Sequence, residues 1–140
     1  MREYGEFHDG WFEGLWIDAK TTHVFLSTKE RERFVFVADG VAEQAIDGIK
    51  SGNIIFEVLI RDTEEVFLRD IQCLYALRTV STGEIQGANL LEKARLQGWK
   101  ILEINPSYGA NCLILANSFE LHRRDDWLKQ YFAISKTVSG

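Results

Sequence analysis

"RFVFVADGVAEQAIDGI", residues 33–49, decides how this chain folds. Phe34 to Ala38 are all apolar, so both faces of the run are apolar and it reads as a strand inside a sheet. Asp39–Gly40 marks a turn or bulge. Residues 41–49 then alternate imperfectly, as a second short strand would. Upstream, "WFEGLWIDA" (11–19) and "HVFLST" (23–28) both alternate, and the short link between them has hairpin spacing. Strict alternation puts Trp11, Glu13, Leu15 and Ile17 on one face, with Phe12, Gly14, Trp16 and Asp18 on the other. The charged "KERE" (29–32) forms a loop before residue 33. Downstream, "GNIIFEVLIRD" (52–62) is the clearest strand, with Ile54, Phe56, Val58 and Ile60 along one face.

The period changes after residue 67. In "LRDIQCLYALR" (68–78), Leu68, Ile71, Leu74 and Tyr75 form a helical stripe. "GANLLEKARLQGW" (87–99) lines up Leu90, Leu91 and Ala94, with Asn89 placed to cap its start and Gly98 to end it. "STGEIQG" (81–87) reads as the loop between them. Two strand-like runs follow, "WKILEIN" (99–105) and "ANCLILANSFEL" (110–121), joined by a hairpin turn at "PSYG". Trp127, Leu128, Tyr131 and Phe132 have helical spacing, as in a terminal helix docked on the body or an interface. The expected fold is a single domain over 1–140, α+β but mainly β. It is an antiparallel sheet of about six or seven strands, curled into a barrel or sandwich, with one or two short helices.

Composition narrows the functional classes. Apolar residues make up 46% and aromatics 12%, enough for a substantial core, which Trp11, Phe12, Trp16, Phe25, Phe34 and Phe36 should largely fill. A net charge of −5 without a Lys/Arg-rich block argues against nucleic acid or an anionic membrane and suits a protein partner of basic character. No apolar run approaches the roughly 20 residues of a membrane helix, and the start of the chain lacks a signal-peptide core. Cys73 and Cys112 each sit in an apolar stretch and read as free buried thiols of a cytoplasmic protein.

Four short stretches carry a resemblance: "FHDG" (7–10), "FVADGV" (36–41), "GNIIFEV" (52–58) and "PSYGANCLIL" (106–115). Their order resembles a group of small bacterial proteins of unknown function. It is also similar to an immunity-protein family linked to bacterial polymorphic toxins. The resemblance spans most of residues 7–117. It implies binding and neutralising a partner, not catalysis.

The residues themselves point the same way. His8–Asp9 is a candidate acid–base doublet, but Asp9–Gly10 favours a turn in which Asp9 bonds nearby backbone. A metal set of His8, Asp9, Glu13 and His23 is disfavoured, because His23 opens the paired strand at the far end from Asp9. No CxxC or HExxH spacing is present, no GxSxG surrounds Ser107, and no phosphate loop occurs. Asn53 follows Ser51–Gly52, where its side chain can bond backbone at a strand entry. If the polar turns cluster at one end of a barrel, His8, Asp9, Asn53 and Tyr108 form a binding site there. No catalytic residue, metal or cofactor is expected. Three functions remain: a non-catalytic, immunity-like interaction protein; a small-molecule binder or enzyme using that polar mouth; and a structural subunit of a homo-oligomer.

Overall fold

The computed structural model describes residues 1–77 and 81–139. Its strands are β1 (Arg2–Glu3), β2 (Trp11–Asp18), β3 (Thr21–Ser27), β4 (Arg33–Asp47), β5 (Ile54–Arg61), β6 (Lys100–Tyr108) and β7 (Asn111–Arg123). Three helices accompany them: α1 (Leu68–Leu74), α2 (Ser81–Gln97) and α3 (Arg124–Ser139). The sheet is antiparallel and closes on itself: β5, β2, β3, β4, β7 and β6 form a ring through the β5–β6 pairing, and β1 adds to β5. The chain is therefore α+β, mainly β, with a curled sheet.

The run at 33–49 is one strand, not two. β4 bends at Gly40 and takes a bulge between Val41 and Glu43, yet it stays paired to β7 from Phe34–Arg123 to Asp47–Asn111. β7 is long enough to hold both halves, so the turn signal becomes a bend.

Bulges also move the faces. An extra residue enters β2 between Phe12 and Gly14. Phe12 and Leu15 thus both pack on the interior, with Val24 and Leu26 of β3. In β5, irregularities on either side of Ile55 put Ile55 and Val58 inside and leave Ile54 and Phe56 exposed, against the expectation of one continuous face. Pro106 lies within β6 at this irregular stretch, where a missing N–H is tolerated, and the hairpin turn falls after Tyr108. Phe7, Phe12 and Phe36 lie in the core, but Trp16 is exposed. Tyr4 and Phe7 plug one end of the ring, meeting Phe36 at 5.1 Å and Phe34 at 5.4 Å edge to face.

A second apolar layer lies outside the ring. Val66, Ile71, Leu74 and Ala94 from the helical segment cover Ile101, Leu113 and Leu115 of the sheet. α2 starts earlier than expected, and Asn89 is inside it. Gly87 reads as a loop residue, yet it lets α1 approach: a Cβ there would stand 3.0 Å from Leu68 Cδ1. Arg78, at the end of the expected first helix, lies outside the described residues. Buried Arg61 holds this layer to the sheet through two 2.7 Å bonds to Asp70, one to the Glu65 carbonyl at 2.8 Å and one to Glu103 at 3.2 Å. Bonding to Asp70 holds the Arg61 proton more tightly than usual.

α3 docks on the outer faces of β2 and β3. Trp127 is buried against His23 and Phe25, and Trp16 stacks on His23 at 5.0 Å. The Phe132 side chain lies outside the described residues. The two cysteines are free. Cys112 is buried, and burial pushes its thiol up to about 12. Cys73 is exposed, contrary to expectation, because it sits on the outer side of α1.

Candidate functional site

The sequence-derived residues lie along one line of pairing, where β5 meets β2 and β6. Phe7 is drawn into the core, and the chain must then reverse into β2. Asp9 adopts a φ of 62°, which aspartate tolerates, and its N–H donates to the Ile55 carbonyl at 3.0 Å. Gly10 follows because a Cβ there would fall 2.2 Å from the Ser27 carbonyl oxygen. His8 Nδ1–H donates to the Phe56 carbonyl at 2.8 Å. A carbonyl only accepts, so that bond places a proton on Nδ1. Nε2 then lies 3.7 Å from Asp9 Oδ2, too far for a hydrogen bond, and both side chains are about half exposed. The doublet thus builds a corner.

Asn53 is buried and its carboxamide makes three bonds to backbone. Oδ1 accepts from the N–H groups of Lys50 at 2.8 Å and Ala110 at 3.0 Å, and Nδ2 donates to the Lys50 carbonyl at 2.9 Å. These bonds pin the 48–53 loop to the turn after β6. Tyr108 is exposed and pairs with Ile54. The four residues do not share one cavity. Asn53 lines a groove beside β2, while His8 lines a separate pocket beside Tyr4 and Phe56.

The groove exists because the ring is barely closed there. β2 meets β5 through a single residue pair, Trp11–Ile54, reinforced by Phe12 N–H to the Asn53 carbonyl and Ile55 N–H to the Gly10 carbonyl, both 2.9 Å. Beyond Trp11, among the described residues, no strand pairs with that side of β2. The amide directions follow from register. Phe12 turns its N–H away from β3, so Phe12–Leu26 is a non-bonded pair, and Val24 and Thr22 are the next non-bonded positions on β3. Their partners, Leu15 and Ile17, therefore carry their amide groups on the open side. Ile17 is 54% exposed although its side chain belongs to the interior face. A groove of about 480 Å³ runs along this edge. Trp11, Leu15, Arg31, Ile49, Lys50 and Asn53 line it.

Charge in the groove is local and specific. Glu13 is held by Arg124 at 2.6 Å, and that guanidinium also bonds the carbonyls of Leu26 and Phe34. Arg31 instead lies over the Trp11 ring at 3.5 Å. Its backbone has a φ of 69°, in a tight loop closed by Thr28 N–H to the Glu32 carbonyl and Arg31 N–H to the Thr28 carbonyl, both 2.9 Å. Sequence reasoning missed Arg31, Lys50 and the edge at Leu15 and Ile17. Gly14 was the available signal, since a glycine inside a strand often marks a bulge.

A cleft under α1 is another candidate, but its buried acid Asp70 and neighbouring Glu103 both bond Arg61. No helix among the described residues is long and apolar enough to cross a membrane. Comparison with protein-family models, curated proteins and solved structures finds no match to this chain.

Proposed function

We propose that this chain is a non-catalytic interaction protein that takes an extended segment of a protein partner as an added strand along β2. One observation carries the reading: the outward amides of Leu15 and Ile17 form a free edge beside a groove lined by apolar Trp11, Leu15 and Ile49 together with polar Arg31, Lys50 and Asn53. The resemblance of the FHDG, GNII and SYGA stretches to immunity proteins agrees with a binding role and would make the partner a toxin. The polar-mouth alternative is less favoured, because the Asn53 carboxamide already has three backbone bonds and His8 opens elsewhere.

Ile17→Pro tests the proposal. Proline removes the outward N–H and crowds an incoming strand, while the β2–β3 ladder does not use that N–H. A partner co-purified with the native chain should be lost by Ile17→Pro and should protect the Leu15 and Ile17 amides from hydrogen exchange. A partner retained in full by Ile17→Pro overturns the reading. So does a concentration-dependent dimer that the variant abolishes, since the occupant would then be a second copy of the chain.

A further inference from the structure

We infer that the segment bound along β2 presents an acidic side chain, or its terminal carboxylate, to Arg31 and Lys50. The inference rests on the reading of β2 as a strand-accepting edge and adds the chemistry of what is accepted. The whole chain is acidic at −5, which by itself would favour a basic partner. The groove has the opposite balance. Glu13, its acidic lining residue, is neutralised by Arg124 at 2.6 Å. Arg31 and Lys50 form no ion pair among the described residues, and Glu32, next to Arg31, turns to Arg123 at 3.4 Å. Two cations without carboxylate partners therefore line one groove.

The Arg31 guanidinium and the Lys50 backbone are held in place before any ligand arrives. Trp11 supports the Arg31 guanidinium at 3.5 Å from below, so its N–H fork is free at the edge to meet a carboxylate. Lys50 has its own N–H and carbonyl fixed by Asn53 at 2.8 and 2.9 Å. Fixed backbones reduce the ordering cost of binding. An apolar side chain of the segment would meet Leu15 or Ile49, and the carboxylate would meet the two cations beyond Trp11. A basic segment would instead bring like charge against Arg31 and Lys50.

Selection of random linear peptides displayed against the full chain tests this. Selected peptides should share Asp, Glu or a free C-terminus at one fixed position. They should weaken about tenfold against an Arg31→Gln/Lys50→Gln double variant, the scale of losing one charge-assisted hydrogen bond. Raising salt should weaken the native chain's binding and leave the double variant's nearly unchanged. Peptides that lose binding to Ile17→Pro but carry no acidic position, or bind the double variant equally well, overturn the acidic preference and leave the edge reading standing. Peptides indifferent to Ile17→Pro, or a selection that yields none, overturn both.

Discussion

β4 and β7 run together over their whole length, whereas β2 and β5 touch at one residue pair. Both belong to the same ring. The long ladder places Phe36, Ala38, Ile114 and Ala116 in a fully enclosed interior. The short junction leaves Leu15 half-buried and Ile17 mostly exposed on what should be the same face. A sheet can therefore close topologically while leaving part of one strand as an edge. Natural edges are normally blunted by charge, bulges or brevity. Here a bulge and Glu13 sit at the start of β2, and Leu15 to Ile17 stay open, which is why the junction and not the ladder carries the candidate site.

Breaking the ladder side should have the largest effect on stability. Phe36 is fully buried and packs edge to face on Tyr4 at 5.1 Å. Phe36→Ala should cost about 3–5 kcal/mol, a large share of the stability of a domain this size. Equilibrium urea unfolding measures it. A loss under about 1 kcal/mol would mean that the interior is not close-packed around this ring.

The junction should yield less. Asn53→Ala removes three backbone bonds and leaves the buried Ala110 N–H without a partner, while the groups of exposed Lys50 turn to water, at a cost of about 1–3 kcal/mol. Its distinguishing sign is local: Phe12 and Ile55 amides, which close the junction, should exchange faster while the β4–β7 amides keep their protection. Uniform loss of protection across both regions would show that the two open as one unit.

Much of the ladder side was legible in the sequence and little of the junction was. The apolar runs at 34–38 and 112–116 report burial directly, because a strand covered on both faces reads as a continuous apolar run, while a strand covered on one face keeps a period of two as long as its register is constant. Bulges at Glu13 and around Ile55 break that period, and alternation cannot say where an extra residue enters. The polar residues followed the same division. Asp9–Gly10 and Asn53 could be read as turn chemistry, since each acts on backbone close by or at a strand entry. Arg31 looked like one charge in "KERE" because its meaning comes from Trp11, across the sheet. The groove is set by where β5 stops pairing, a tertiary property with no local signature.

The smallest expected effect separates the charge of the junction from its folding. Arg31 is a non-glycine residue at a φ of 69°. Arg31→Gly should relieve about 1–2 kcal/mol of left-handed strain. Against this, glycine loses about 0.5–1 kcal/mol more conformational freedom on folding. Loss of the Trp11 stacking contact removes about 0.5–1 kcal/mol more. These contributions nearly cancel, so urea unfolding should find stability unchanged to within about 1 kcal/mol, while the groove loses one of its two unpaired cations. Weakened binding of acidic peptides with an unaltered unfolding midpoint would locate Arg31 in recognition. A destabilisation above about 2 kcal/mol would instead assign it to holding the β3–β4 loop against Trp11, since only an interaction stronger than an exposed stacking contact produces a loss of that size.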